Sequence, residues 1–241
     1  MDAADELSLP PNAVRTLEAR YLRRDRSGRI VETPRELFER VARVVAAAER
    51  AHGADADAEA ELRGRFFSLL ARGVFFPNSP TLMNAGSPLG VLSACFVLPI
   101  ADSVAGIFES VKHAALIQKA GGGTGFSFDR LRPTGDYIAS SGGRSSGPMS
   151  FWRVFCEATR AIQQGAFRRG ANMAMMSAEH PDILKFVAAK NDPAAFENFN
   201  ISVKVTDAFM DALRRQPDAP HVVVNPNTGE PEGRARRRRI A

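Results

Sequence analysis

The stretch Ala94-Cys95-Phe96-Val97-Leu98-Pro99 is a short apolar run closed by its proline. Asp102 or Ser103 then stands where it can cap a helix carrying Ile107, Val111, Ala115 and Leu116, which stops at Gly121. A strand followed by an amphipathic helix of this length is the first half of a crossover unit. The pattern recurs downstream. A helix from about Ser150 presents Trp152, Phe155, Thr159 and Ile162, and a strand is expected near Asn172–Ser177. A helix around Asp182–Lys190, a strand over Asn200–Val205, a helix opened by Thr206 or Asp207 and a strand over His221–Val224 complete the series. Strands alternating with helices favour parallel pairing, so the fold class is α/β, as a sheet or a barrel. No internal sequence repeat is visible.

Upstream, the texture is helical. Thr33-Pro34-Arg35-Glu36 spells a capping box with proline at the first helical position. Leu37, Val41, Val44, Val45 and Ala48 follow on one face. The run Ala51–Ala58 breaks that helix, and a second one through Leu62, Phe66, Leu69 and Leu70 ends at Gly73. Pro77-Asn78-Ser79-Pro80 reads as an extended turn, since proline pushes the preceding residue out of the helical region. The expected division is a helical domain over 1–73, an α/β domain over 74–233 and an arginine-rich tail over 234–241.

Of the 241 residues, 44% are hydrophobic and 24% charged, which is ordinary for a globular chain. No apolar run approaches the ~18 residues of a membrane span, and the acidic opening Met1–Glu6 is no secretory signal. The only cysteines, Cys95 and Cys156, point to a reducing cytoplasm and cannot build a paired Cys-x-x-Cys zinc site. The net charge of +5 equals the contribution of Arg234, Arg236, Arg237, Arg238 and Arg239. The basic character therefore belongs to the tail and gives little support for a nucleic-acid surface on the rest.

Several motifs invite chemistry. Gly121-Gly122-Gly123-Thr124-Gly125 lacks the lysine of a P-loop, and Phe126 breaks the dinucleotide fingerprint. It reads first as a helix-to-strand turn, although successive glycine N–H groups can face an anion. Gly143-Arg144-Ser145-Ser146-Gly147 spells a nucleophile elbow, but its polar flank is not the strand an elbow requires. Cys95 and Cys156 each read locally as small buried hydrophobes. His113 and His180 have no partner at metal-ligand or acid/base spacing. The Gln163–Asn172 loop combines two arginines, amide donors and glycines, and Arg130 and Arg132 follow the glycine run. Both segments suit phosphate contacts.

In order along the chain stand Asn78-Ser79-Pro80-Thr81-Leu82-Met83-Asn84-Ala85-Gly86, Leu92–Pro99, Gly121–Phe126, Arg168-Arg169-Gly170-Ala171-Asn172-Met173, His180-Pro181-Asp182-Ile183-Leu184 and Asn198–Val203. Together they resemble the large catalytic chain of ribonucleotide reductases, most closely the adenosylcobalamin-dependent class, over roughly residues 7 to 230. The resemblance implies a helical lead-in followed by the first part of a ten-stranded α/β barrel. It implies reduction of ribonucleotides to deoxyribonucleotides by radical chemistry, with Cys95 as one of a reducing cysteine pair. Ser79, Ala94, Cys95 and Gly121 are then expected to line the substrate. Asp102, Ser103, Val104 and Arg132 match the region that binds a deoxynucleoside triphosphate effector, and Gln164, Gly165, Arg168 and Arg169 fall in the specificity loop that carries its signal. The implied partners are a thioredoxin-like reductant and a second copy in a homodimer.

Ala166 stands where the family usually has a second glycine, and Cys156 matches no redox position, so it is kept as core. The sequence holds no Asn-x-Cys-x-Glu loop and no second reducing cysteine, so this chain alone is expected to be inactive. An unpaired strand edge predicts poor solubility. Residues 234–241 do not read like the family and suggest a shifted frame or a truncated gene. The competing readings are a non-catalytic nucleotide-binding remnant and a basic arm that binds nucleic acid.

Overall fold

The computed structural model describes residues 7, 9–88, 90–162, 170–192, 194–236 and 239–240. The chain forms two compact units, residues 1–94 and 95–241.

The first unit is helical: α1 (Pro11–Arg20), α2 (Pro34–Ala46), α3 (Ala56–Ala71) and α4 (Ser79–Asn84). The Thr33 side chain accepts from the Glu36 N–H while Glu36 accepts from the Thr33 N–H at 2.7 Å, so the capping box forms as the sequence requires. Leu37, Phe38 and Val41 on α2 close over Leu17, Leu22, Leu70, Leu82 and Ala85. Within this core Arg40 is buried and paired to buried Glu32 at 2.6 Å. Its guanidinium also donates to the carbonyls of Ala85 and Leu82, which α4 leaves without helical partners.

The expected extended turn at 77–80 is only half right. Asn78 caps the Thr81 N–H at 3.0 Å and Pro80 occupies the first turn of α4. The same tokens that spell a turn also start a helix, because proline is tolerated where the N–H has no helical partner. Leu82 and Ala85 enter the helical core, and the division falls at Ala94/Cys95 rather than at 73/74.

The second unit holds β1 (Cys95–Leu98), α5 (Val104–Lys119), β2 (Gly123–Ser127), β3 (Tyr137–Ile138), β4 (Gly143–Arg144), α6 (Pro148–Ala161), β5 (Asn172–Ser177), α7 (Ile183–Ala188), β6 (Phe199–Lys204), α8 (Asp207–Arg215), β7 (Pro220–Val224) and β8 (Pro231–Arg236). Four strands form a parallel sheet in the order β1-β2-β5-β6, registered as Cys95↔Gly123, Thr124↔Asn172 and Asn172↔Phe199. This is the α/β arrangement that the alternation of elements predicts, consistent with the start of a barrel.

The α6 stripe supplies Trp152 and Phe155 to a core with Phe126, Phe128, Phe186 and Phe199. Trp152 stacks on Phe196 with ring centroids 3.8 Å apart. Most of the glycine run is strand rather than loop. Only Gly121 takes the left-handed conformation, at φ +85°, and the backbone from Gly123 onward joins the β1–β2 ladder. A Cβ at Gly122 would come within 2.6 Å of the Ile117 side chain and 3.0 Å of the Phe96 ring, so glycine there serves close helix–strand packing.

The arginine-rich end also enters the fold. β8 pairs antiparallel with β7, matching His221↔Ala235 and Pro220↔Arg236. Ala235 and Ile240 are buried in the same core as Trp152.

Candidate functional site

Cys95 opens β1 and is exposed, which corrects the local reading of it as a buried hydrophobe. Alternation along β1 turns Cys95 and Val97 outward while Phe96 and Leu98 are half-buried. Ala94 precedes it in the chain, and its register partner Gly123 lies two residues past the Gly121 turn. Ser79 belongs to the first unit, where its Oγ lies 2.9 Å from the Tyr21 hydroxyl, a residue the sequence reading missed.

Cys156 differs in every respect. It is buried, its thiol donates to Asn198 Oδ1 at 2.9 Å, and burial pushes its pKa up. It sits beside Phe155 on the packed face of α6, as expected for a core residue.

Asp102, Ser103, Val104 and Arg132 all line one cavity of about 360 Å³ within the second unit. Arg132 donates from Nε to Asp102 Oδ2 at 2.8 Å, places Nη2 at 2.8 Å from the same oxygen, and donates from its backbone N–H to Oδ1 at 3.1 Å. Asn227 Nδ2 adds a further donor to Oδ2 at 2.8 Å. Ser103 caps α5 by accepting from the Gly106 N–H at 3.1 Å, so the positive end of a long helix opens on the cavity.

The same cavity is also lined by Ile138, Arg144, Ser145, Ser146, Gly147 and Phe151, which sequence reasoning did not assign to a site. The Gly-x-Ser-x-Gly spelling was the available signal, but it points to the wrong chemistry. Ser145 is buried, its Oγ accepts from the Gly147 N–H at 3.0 Å, and Gly147 at φ +78° starts α6. The segment is a wall that carries one guanidinium, Arg144, which donates to the Gly135 carbonyl at 2.9 Å. Two cationic side chains and the N-terminus of α5 thus line this half-enclosed space together with the Asp102 carboxylate that pairs Arg132.

Gln164, Gly165, Arg168 and Arg169 lie outside the described residues. The residues flanking them are tied into a buried polar network. Gln118 Nε2 donates to Asn172 Oδ1 at 2.8 Å and to Thr159 Oγ1 at 3.2 Å, and Asn172 Nδ2 donates to Thr159 Oγ1 at 2.9 Å. Among the described residues no group of three or more His, Cys, Asp or Glu side chains could hold a metal ion, and none is assigned to cobalamin. No described helix is long and apolar enough to cross a membrane.

A helical unit is followed by parallel strands, with a cysteine at the head of the first strand. Residues 7–90 match the family described as ribonucleotide reductase, all-alpha domain, and residues 93–234 match ribonucleotide reductase, barrel domain. The chain belongs to the ribonucleotide reductase large-chain family. It is 48% identical over 227 residues to the vitamin B12-dependent ribonucleoside-diphosphate reductase of Mycobacterium tuberculosis, covering 94% of this chain and 32% of that protein. It is 40% identical to the enzyme of the same name from Thermoplasma acidophilum, over all of this chain and 38% of that protein. The Saccharomyces cerevisiae ribonucleoside-diphosphate reductase large chain 2 is 34% identical, over 88% of this chain and 24% of its own length. The chain thus spans between about a quarter and somewhat over a third of these curated relatives.

Proposed function

We propose that this chain supplies the helical domain and first barrel strands of an adenosylcobalamin-dependent ribonucleoside-diphosphate reductase, with Cys95 as one of its two reducing thiols. The observation that carries the reading is the exposed Cys95 at the head of β1, in register with the strand that follows the Gly121 turn. A cysteine kept for packing belongs inside, as Cys156 does.

Adenosylcobalamin, named through the relatives' vitamin B12 dependence, would supply the radical that activates the substrate. The reductive half belongs to thiols. The ribose 2′ carbon–oxygen bond breaks, the oxygen leaves as water, and a carbon–hydrogen bond replaces it. Two thiols supply the two electrons and two hydrogens and become a disulfide. A thioredoxin-like dithiol then returns that disulfide to thiols by exchange. No Asn-x-Cys-x-Glu spelling occurs in these 241 residues, so the second thiol and the radical-bearing thiol are assigned to no residue of this chain.

The cavity of Asp102, Ser103, Val104 and Arg132 is assigned to a deoxynucleoside triphosphate effector, its phosphates drawn by Arg132, Arg144 and the α5 N-terminus. Bound there without the remaining domains, the nucleotide would leave the chain a binding module. A homodimer is supported by α5, which leaves Val104, Phe108 and Leu116 exposed. The free thiols fit a reducing cytoplasm.

The deciding experiment joins this chain to the remainder of a related reductase and assays the completed enzyme for CDP reduction with adenosylcobalamin. Cys95→Ser is expected to abolish turnover sustained by a thioredoxin system. Turnover by that variant within twofold of wild type removes Cys95 from the reaction.

A further inference from the structure

His180-Pro181-Asp182 carries no role in the reading above, although both polar residues are almost fully buried, at 2% and 3% exposure. His180 Nδ1 accepts the Asp182 N–H at 3.0 Å, which leaves the ring proton on Nε2. Nε2 lies 2.9 Å from the Leu131 carbonyl, to which it donates. Asp182 Oδ2 accepts from the Thr134 N–H at 2.7 Å and from the Thr134 hydroxyl at 3.1 Å. Its other oxygen pairs with Lys185 at 2.5 Å. The two residues therefore grip the Leu131–Gly135 turn on either side of Arg132.

The same turn is bonded to the Arg144–Ser145 segment, which also lines the cavity. The Gly135 N–H donates to the Ser145 carbonyl at 2.8 Å, the Ser145 N–H donates to the Asp136 carbonyl at 2.8 Å, and Arg144 donates to the Gly135 carbonyl at 2.9 Å. A Cβ on Gly147 would overlap Thr134, so the turn and the start of α6 fit each other without slack. Both guanidiniums of the cavity thus hang on one turn, and that turn hangs on His180 and Asp182.

We propose that His180 and Asp182 are positioning residues for the triphosphate cavity, fixing the Leu131–Gly135 turn so that Arg132 and Arg144 converge on one anion. The inference rests on the effector reading of that cavity. Neither residue lines it. Their effect on binding passes through the backbone they hold, and a few tenths of an ångström at each guanidinium decide whether two charge-assisted bonds form together.

The test measures dTTP and inorganic tripolyphosphate affinity of the 241-residue chain by calorimetry, well below its melting temperature. His180→Leu and Asp182→Ala are expected to weaken both ligands about tenfold or more, while His180→Gln, which can still donate to the Leu131 carbonyl, retains most of the affinity. Thr134→Val, a change at an exposed position that removes only the hydroxyl bond, is expected to weaken binding severalfold even if the buried variants fold poorly. Combined with Arg132→Ala, His180→Leu should add little further loss, because the group it positions is gone. Melting temperatures that fall while dissociation constants stay within twofold overturn the proposal and leave His180 and Asp182 structural. A wild-type protein that binds neither ligand overturns the effector reading itself, and this proposal with it.

Discussion

The two cysteines look alike as letters and are opposites as side chains. Cys95 projects from the outward phase of β1, whereas Cys156 projects into α6 packing and donates its S–H to Asn198. Burial raises the Cys156 pKa, so at any pH below that value a smaller fraction is thiolate than for an ordinary thiol, and the thiolate is the nucleophile. Iodoacetamide at pH 8 is therefore expected to modify one cysteine of the native protein, Cys95, with the second reacting only after denaturant. Mass spectrometry of the labelled peptides gives the answer, and equal native rates for both thiols would refute it. The sequence made Cys156 legible as core, because a helix face with Trp152, Phe155 and Thr159 defines an inside. It did not make Cys95 legible from local pattern, because a short apolar strand leaves the phase of its two faces undecided. The resemblance to the family supplied what the pattern lacked.

The elements that announced themselves did so through side chains that do local work. The Thr33 box, the Ser103 cap and the Thr206 cap each pair a short polar side chain with a helix N–H, and all three form. Strand β5 begins and ends where its residues suggested, at Asn172–Ser177. β2 escaped detection because Gly123 and Gly125 have no side chain to alternate, so period-2 reasoning had nothing to count. The Gln118 network escaped for a different reason: Gln118, Thr159 and Asn172 are far apart in sequence and meet only when α5, α6 and β5 pack. Such a network is stable only when complete. Gln118→Leu fills the space but strips partners from Asn172 and Thr159 in a dry site, and is expected to cost about 1–3 kcal/mol. Chemical denaturation should show this as a lower midpoint, with exposed Lys119→Ala as a control within about 0.5 kcal/mol. A Gln118→Leu midpoint matching that control would mean that water replaces the lost donor.

The arginine-rich end decides how the chain as a body should be regarded. By composition it accounts for the whole net charge of +5 and looks foreign to the rest. By structure its first part is an ordinary amphipathic strand. Arg234 and Arg236 face solvent, Ala235 between them is buried, and Ile240 closes into the core shared with Trp152. The alternation Arg-Ala-Arg was visible in the sequence, but five like charges in eight residues concealed it, since a charge run ordinarily marks a solvated arm. The β7–β8 connection is built for pairing. The Asn225 N–H donates to the Glu230 carbonyl and the Gly229 N–H donates to the Asn225 carbonyl, each at 2.9 Å, with Gly229 at φ +75°. Two outcomes separate an arm from a strand. Truncation after Gly233 removes the buried Ile240 and Ala235 together with ladder bonds, and is expected to destabilise the protein by about 2–4 kcal/mol. Arg234→Ser with Arg236→Ser removes two exposed charges from the same strand and should change stability by less than about 1 kcal/mol. Urea midpoints of the three proteins make the comparison. If truncation leaves the midpoint unchanged, the end of the chain contributes charge alone; if it lowers the midpoint as expected, the arginines decorate the outside of a strand that the core requires.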